Sequence, residues 1–294
     1  RLAGREVDLR VSTIPTGHGE RIVMRLLDKN KERLQLETLG MAPDTLGKID
    51  KLISRPHGIF LVTGPTGSGK STTLYAALAR IDSNALNIMT VEDPVEYDIT
   101  GISQTQVNAK IDMTFARALR SILRQDPDVV MIGEIRDLET AEIAVQSSLT
   151  GHLVLATLHT NSASSTVTRM IDMGVESFLL SSTLIGILAQ RLIRLLCPRC
   201  KEENTSMDAE TRAHYEIPDD IKIYKAVGCD HCSGTGYKGR TGIHELLVVD
   251  EEVQRLIHTN ASETEIEKYA IKKLGMRTLR MDGLRWLRDG KTTI

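Results

Sequence analysis

The sequence has few aromatic residues, which make up 3% of its 294 residues as three Phe, one Trp and six Tyr. So few rings exclude a stacking platform that tracks single-stranded bases, and they require a largely aliphatic core. A basic excess is also missing, because 37 Lys and Arg residues oppose 39 Asp and Glu residues for a formal net charge of −2. We therefore expect no nucleic-acid partner.

Long apolar runs and cysteines are scarce as well. The richest apolar stretch, 178–196, is interrupted by Gln190, Arg191 and Arg194, and a membrane-spanning helix needs about 18 apolar residues in a row. We expect neither a transmembrane segment nor a signal peptide. Four cysteines are too few for a disulfide scaffold in a chain of this length, so a cysteine cluster here is more typical of a metal or redox site.

The chain starts at Arg1 rather than Met, and we expect it to be a fragment of a longer protein. Residues 6–13 and 20–27 alternate apolar with polar side chains around a turn-rich PTGHG, a pattern that predicts a β-hairpin. Arg10 and Arg25 fall on its less apolar faces. Such like charges repel unless an anion or an acidic partner faces them, and a solvated face with acidic neighbours is the alternative.

Short apolar runs then alternate with helical segments. The runs are 58–63, 87–91, 128–133 and 152–158, and the helical segments are 71–81, 114–125, 138–149 and 162–173. Apolar strands without alternation are typical of a parallel sheet that is covered on both faces. The sequence therefore predicts an α/β core with a mainly parallel sheet.

These patterns divide the chain into five expected units. A β-hairpin remnant of an N-terminal domain (1–30) is followed by a linker (31–40), an α/β core (41–190), a tetracysteine module (191–244) and a region of short helices (245–294). In the last unit, the capping box Ser262–Glu265 predicts the start of a helix that stops at Gly275, and another helix is expected over about 277–288.

A phosphate-binding loop follows the first buried run. GPTGSGKS at 64–71 matches GxxxxGK[ST] between a predicted strand and a predicted helix, which is the context that this motif requires. We expect ATP to bind at Gly64, Pro65, Thr66, Gly67, Ser68, Gly69, Lys70, Ser71 and Thr72. Lys70 is expected to reach the β- and γ-phosphates, and the Ser71 hydroxyl to bind Mg²⁺.

Polar residues follow the other predicted strands, whose carboxyl ends meet at one edge of a parallel sheet. Glu92, Glu134 and His159 occupy these positions. Gly133 stands where most P-loop proteins carry a metal-assisting Asp, so we assign the metal side to Glu134 and the activation of water to Glu92. His159 is either a sensor of the γ-phosphate or an ordinary core histidine.

The predicted helix 114–125 carries Arg117, Arg120 and Arg124 in one stripe. Three like charges on one face are destabilising unless something acidic lies opposite them. A phosphate bound in the same or a neighbouring subunit is one interpretation, and exposure to solvent is the other.

The four cysteines form two CxxC pairs, Cys197/Cys200 and Cys229/Cys232, with 28 residues between the pairs. This spacing is typical of a closed Cys₄ zinc site with a structural role. A disulfide or a redox-active CxxC remains the alternative.

Several of these motifs occur in one order that resembles the secretion ATPases of type II secretion and type IV pilus assembly. They are GPTGSGKST, TVEDPVEY, DPDVVMIGEIRD, GHLVLATLHTN, the paired CxxC and GYKGRTGIHELL, and VSTIPTGHGERIVMRLLD is most similar to the type II member. The resemblance implies a core similar to RecA and a hexamer on the cytoplasmic face of the inner membrane. The cysteine pairs distinguish the chain from the related retraction motors.

The resemblance also implies roles for individual residues. The phosphate loop corresponds to Gly64–Thr72, the acidic box to Glu92, Asp93 and Glu96, the second carboxylate to Glu134, and the histidine box to His152 and His159. The family's arginines that reach the nucleotide, some from a neighbouring subunit, correspond to Arg10, Arg25, Arg120 and Arg124. Gly133 is normal within this family.

We therefore expect a hexameric, Mg²⁺-dependent ATPase that powers type II secretion by assembling the pseudopilus. It is expected to lie peripherally on the inner membrane and to act on a membrane-embedded platform protein. A pilus-extension motor shares every motif named above. A DNA-translocating ATPase and an ATP-binding scaffold without turnover are alternatives from other classes.

Overall fold

The computed structural model describes residues 7–28 and 35–294. The strands are β1 (Val7–Thr16), β2 (Gly19–Asp28), β3 (Gly58–Thr63), β4 (Ile88–Glu92), β5 (Ser103–Gln106), β6 (Val129–Ile132), β7 (Leu153–Leu158), β8 (Leu184–Leu196), β9 (Glu202–Glu203), β10 (Tyr224–Lys225) and β11 (Tyr237–Val248). The helices are α1 (Pro43–Ile53), α2 (Lys70–Leu78), α3 (Phe115–Ile122), α4 (Leu138–Leu149), α5 (Ala163–Asp172), α6 (Ser177–Thr183), α7 (Ala209–His214), α8 (Glu251–His258), α9 (Glu263–Leu274) and α10 (Leu279–Arg288).

A seven-stranded sheet forms the centre of the protein, in the order β11-β8-β3-β7-β6-β4-β5. All neighbouring strands are parallel except β8 and β11, which are antiparallel. The predicted α/β class with a mainly parallel sheet is therefore confirmed. The carboxyl ends of β3, β7, β6 and β4 lie side by side, which is where doubly wound sheets bind ligands.

Both faces of the sheet are covered. All six residues of β3 are buried, with Ile59 and Leu61 on one face and Phe60 and Val62 on the other. The first face packs against α3 to α6 and the C-terminal helices, and the second packs against α1 and α2. This double burial explains why the strand is apolar throughout rather than alternating.

Strands β5, β8 and β11 were not among the predicted strands. Strand β5 is a polar edge strand, so it lacks the apolar signal of its neighbours. In the second half of β8, half-buried residues alternate with exposed ones, which interrupts the apolar run. The expected unit boundaries at 190/191 and 244/245 fall inside β8 and β11, so the sheet continues past both changes in sequence pattern.

Strands β1 and β2 form the antiparallel hairpin indicated by the sequence. Leu9 pairs with Leu26 and Arg10 pairs with Arg25 in the backbone register. The side chains of Arg10 and Arg25, and residues 1–6 and 29–34, lie outside the described residues.

The predicted capping box at the start of α9 is confirmed. The backbone N–H of Glu265 donates to Ser262 Oγ (3.3 Å), and the backbone N–H of Ser262 donates to the Glu265 carboxylate (2.9 Å). The helix ends at Leu274, and Gly275 adopts a φ of 62°, which favours glycine.

Glu245 joins two helices to strand β11. Its buried carboxylate accepts hydrogen bonds from the backbone N–H of Ala163 (2.7 Å) and of Leu279 (3.1 Å), the first residues of α5 and α10. Burial raises the pKa of Glu245, while these two N–H donors oppose that shift. The positive ends of two helix dipoles therefore meet at one carboxylate.

No helix within 7–28 and 35–294 has both the length and the apolar character needed to cross a bilayer.

His244 is a buried imidazole next to the C-terminal helix α10. Burial lowers the pKa of His244 to about 4, because desolvation of the charged ring outweighs the attraction of Asp282. The folded protein therefore holds this ring neutral at a pH at which the unfolded chain protonates it, near 6.5.

We predict that acidification from pH 7 to pH 4 lowers the free energy of unfolding by about 3 kcal/mol through His244 alone. Stability is lost as pH falls because, over this range, the unfolded state binds more protons at His244 than the folded state does. Urea unfolding at both pH values is expected to show a smaller loss in His244→Leu. The exposed His258→Leu serves as the control, and an unchanged loss in His244→Leu would contradict the assignment.

Candidate functional site

The predicted phosphate-binding loop connects β3 to α2. Gly64, Gly67 and Gly69 adopt φ angles of 146°, 79° and 89°, which lie in the region that favours glycine. At Gly64 there is also no space for a side chain, because a Cβ would lie 2.4 Å from the carbonyl oxygen of Gln190. The loop therefore curls closely against strand β8.

Lys70 is the first residue of α2, and its ammonium group turns back over the loop. Nζ donates hydrogen bonds to the carbonyl oxygens of Gly64 (2.9 Å) and Pro65 (3.2 Å). Burial lowers the pKa of Lys70, and the charge of Glu134 opposes that shift. Ser71 and Thr72 follow on the same helix, and with Lys70 they line a cleft beside the loop.

Glu134 and His159 meet beside this lysine. His159 Nε2 lies 2.9 Å from Glu134 Oε1, and His159 Nδ1 lies 3.2 Å from Lys70 Nζ. Arg136 contacts the other oxygen of Glu134 at 2.7 Å, and this hydrogen bond raises the pKa of Arg136. His159 is 42% exposed, so it is a cleft residue and not a buried core histidine.

Glu92 ends strand β4 and is 4% exposed. Its carboxylate accepts hydrogen bonds from the Tyr75 phenol, from Thr90 Oγ1 (2.6 Å) and from Gln104 Nε2 (3.0 Å). Three donors from α2, β4 and β5 therefore hold this carboxylate at the edge of the cleft.

Gly133 permits the close approach of the Glu134 segment to β4. A Cβ at Gly133 would lie 3.2 Å from the carbonyl oxygen of Val91 and 3.3 Å from Glu92 Cα, tighter than ordinary contact. The absence of an Asp at this position thus has a packing reason in addition to any chemical one.

These residues line a single cleft of about 610 Å³, a size typical of small-molecule sites. The structure brings together the predicted loop residues Thr66, Gly67, Gly69, Lys70, Ser71 and Thr72 with Glu92, Glu134 and His159. Asp93 and Glu96 of the acidic box line it too. An anion in this cleft would meet backbone N–H groups, an ammonium and an imidazole, with carboxylates close by.

The arginine stripe, with Arg117 and Arg120 on α3 and Arg124 in the 3-10 turn that follows it, does not line this cleft. Arg117 forms an ion pair with Asp112 (2.6 Å), and Arg120 forms one with Glu139 (2.7 Å). Arg124 donates to the Arg120 carbonyl oxygen (2.9 Å). Acidic partners within the chain thus face two of these charges.

The two residues of the histidine box lie at opposite ends of β7. His159 follows the strand, whereas His152 precedes it and contacts the Ser147 carbonyl oxygen through Nδ1 (2.8 Å). A residue before a parallel strand lies at the edge of the sheet away from its carboxyl ends. His152 is therefore not part of the cleft in its own chain.

Gln190, which the sequence marks only as a polar interruption of an apolar run, contacts the phosphate-binding loop. It is 3% exposed, its Nε2 donates to the Ser68 carbonyl oxygen (2.7 Å), and its Oε1 accepts from Thr73 Oγ1 (2.8 Å). One amide thus holds both the loop and helix α2. The available signal was an uncharged polar residue that directly follows the apolar run 184–189.

Leu192 on β8 and Arg240 on β11 form the wall of the cleft opposite the carboxylates. We had assigned Arg240 no role, because its position depends on a strand that the Gly-rich sequence did not predict.

The four cysteine sulfurs lie within 4.8 Å of one another, directly after β8 and before β11. The distances are 3.9 Å between Cys197 and Cys229, 3.8 Å between Cys200 and Cys232, and 3.8 Å between Cys229 and Cys232. Tetrahedral Zn–S bonds of about 2.3 Å place the sulfurs about 3.8 Å apart, so the cluster fits one zinc ion. A disulfide does not fit these distances.

Backbone groups also surround these sulfurs. Gly228 N–H donates to Cys200 Sγ (3.4 Å), and Gly236 N–H donates to Cys232 Sγ (3.2 Å). Burial raises the pKa of Cys200 to about 12. Burial acts the same way on Cys232, but backbone N–H donors and the neighbouring thiols lower its pKa to about 6.

A family model described as type II/IV secretion system protein matches residues 1–294. The chain belongs to this family. It is 63% identical to the type II secretion system protein HxcR of Pseudomonas aeruginosa over 294 residues, covering 100% of this chain and 59% of that protein. It is 59% identical to the type II secretion system ATPase E of Vibrio cholerae over 296 residues, covering 100% and 58%.

The chain thus spans about three fifths of the length of these family members. Among solved structures, the ATPase DotB of Legionella pneumophila matches with a TM-score of 0.70 at 22% identity, covering 99% of this chain and 72% of DotB. The pilus retraction motor PilT with bound ADP matches with a TM-score of 0.68 at 28% identity, covering 97% and 75%. These matches support the P-loop fold.

We predict that Gln190→Ala loosens the loop, because it leaves the buried Ser68 carbonyl and Thr73 hydroxyl without this partner. The free energy of unfolding is expected to fall by about 2 kcal/mol, and amide hydrogen exchange over 64–73 to become faster. The exposed Gln146→Ala on α4 is the matched control. Parental exchange in Gln190→Ala would contradict the role of this side chain.

Proposed function

We propose that this chain is the motor region of a Mg²⁺-dependent ATPase that powers type II protein secretion by assembling the pseudopilus. The observation that carries the proposal is the contact of Lys70, His159 and Glu134 at the phosphate-binding loop. A cation, an imidazole and a carboxylate within hydrogen-bonding distance at a helix N-terminus suit the terminal phosphate of a nucleotide.

The residues that would hold ATP are those of 64–72, with Lys70 on the β- and γ-phosphates. Bound Mg²⁺ would neutralise phosphate charge, and the Ser71 hydroxyl and the Glu134 carboxylate offer the oxygen ligands that it prefers. Glu92 is the proposed base that orients and deprotonates the attacking water, while His159 contacts the γ-phosphate.

The two walls of the cleft support a proposal for the orientation of the nucleotide. Glu92 ends β4, and Glu134 and His159 follow β6 and β7 on the same side of the loop, whereas Leu192 and Arg240 come from β8 and β11 on the other side. We therefore place the γ-phosphate toward the carboxylates and the nucleoside toward Leu192 and Arg240.

We further propose that the active form is a homo-hexamer. Arg120 and Arg124 do not line the cleft of their own chain, which supports a role at a neighbour's nucleotide. Arg10 and Arg25, side by side in the hairpin register, are proposed to act in the same way. Charge supplied by a neighbour would make hydrolysis depend on assembly.

The hexamer is proposed to lie peripherally on the cytoplasmic face of the inner membrane and to drive a platform protein there. Type II secretion is favoured over pilus extension because HxcR and ATPase E, the relatives described above, are named for type II secretion. The near-neutral charge supports a motor that acts on protein rather than on nucleic acid.

Zinc is the metal proposed for Cys197, Cys200, Cys229 and Cys232. Four thiolates leave no open position for substrate, so the ion would supply a structural cross-link between the ends of β8 and β11.

We predict that Lys70→Ala abolishes ATP binding and hydrolysis, because the phosphates lose their buried cation. Glu92→Gln is expected to retain nucleotide binding and to lower kcat at least 100-fold, since an amide cannot accept a proton. Steady-state ATPase assays and equilibrium ADP binding measure both effects. The exposed Lys51→Ala is the control for the loss of a lysine.

A rate of ATP hydrolysis in Lys70→Ala equal to that of the parent would contradict the proposed ATP site. Parental hydrolysis by Glu92→Gln would show that Glu92 is not the base. If the parental protein binds ATP but does not hydrolyse it, the protein is an ATP-binding scaffold.

We predict that the purified protein contains one zinc ion per chain and that a strong chelator lowers its melting temperature by more than about 5 °C. Cys200→Ser is expected to have lost most of this stability already, so chelation should add little in that variant. Metal analysis and thermal unfolding measure the two quantities. Zinc-free protein that is destabilised by a thiol reductant would indicate a disulfide instead.

A further inference from the structure

Tyr75 connects the helix that begins at the phosphate loop with the carboxylate of Glu92. Its phenol donates a hydrogen bond to Glu92 Oε2 and accepts one from the backbone N–H of Glu96 (3.1 Å). Tyr75 lies five residues after Lys70 on α2, so the same rigid helix carries the phosphate-binding lysine and the donor to Glu92. The acidic segment and the loop are thereby linked through one side chain.

The environment of Tyr75 keeps the phenol a donor. The residue is 1% exposed, and burial together with the neighbouring Glu92 carboxylate raises the pKa of Tyr75 well above its usual range. The ring packs edge-on against Tyr97, with centroids 5.2 Å apart, which restricts its rotation. A protonated phenol in a fixed place gives the hydrogen bond a defined direction.

The remaining donors define what this bond does. Thr90 and Gln104 both bind Glu92 Oε1, whereas Tyr75 binds Oε2. A carboxylate has about four acceptor positions, so three donors leave about one for a further partner. Removing the phenol frees Oε2, and the carboxylate is then held through one oxygen only and can rotate about that attachment.

We propose that Tyr75 is a positioning residue for ATP hydrolysis, which acts by fixing the Glu92 carboxylate relative to the phosphate-binding helix. This inference rests on the proposed function of Glu92 as the base that activates water. General-base catalysis depends on geometry, because the base must lie within hydrogen-bonding distance of the proton that it removes. A phenol on α2 sets that geometry with respect to the same helix that binds the phosphates.

The test is Tyr75→Phe, which keeps the ring and its packing and removes only the hydroxyl. We expect kcat for ATP to fall about tenfold, with KM and ADP affinity within about twofold of the parent. Tyr269→Phe is the matched control, because Tyr269 also donates to a carboxylate, Asp250 (2.8 Å), among the C-terminal helices. That variant is expected to keep the parental kcat.

A double-mutant cycle separates positioning from a general loss of structure. If Tyr75 acts through Glu92, adding Tyr75→Phe to Glu92→Gln should lower kcat by less than twofold beyond Glu92→Gln alone. A full tenfold further loss in that background would overturn the inference, as would a parental kcat in Tyr75→Phe. An unaltered kcat in Glu92→Gln alone would instead overturn the proposed role of Glu92 itself.

Discussion

The position of the phosphate-binding loop, which connects β3 to α2, depends on its close contact with strand β8. Gly64 has no room for a side chain because the Gln190 carbonyl oxygen occupies that space, and the Gln190 amide binds both Ser68 and Thr73. Since these groups are buried, their hydrogen bonds are costly to break. This contact holds the loop and the first turn of α2, which carries Lys70.

The cleft combines two kinds of sheet pairing. On the parallel side, β7, β6 and β4 end at one level and present an imidazole and two carboxylates. On the other side, the antiparallel β8–β11 pair extends beyond the parallel strands and reaches the cysteine cluster. The chemistry is therefore supported by strands that are buried on both faces, while the opposite wall belongs to a half-exposed ribbon whose ends converge on four thiols.

Sequence reasoning was most successful where the signal was local or followed from strand direction. The loop motif spans a few residues, and Glu92, Glu134 and His159 were predicted to meet because parallel strands end at one edge. Gln190 and Arg240 were not predicted, because their places depend on the pairing of distant strands. The apolar stretch 178–196 also contains two elements, most of α6 and the strand β8, and periodicity did not separate them. His152 was grouped with His159 by motif, although a six-residue strand separates them.

The carboxylate of Glu245 has a mechanical consequence for the whole core. Helix α5 begins at Ala163, shortly after His159 and Thr160 at the end of β7. Helix α10 is the last helix of the chain. Each helix places its first N–H on a different oxygen of the same buried side chain. Moving either helix away would leave the buried Glu245 carboxylate without one of its two backbone donors, so the positions of α5 and α10 depend on the same side chain.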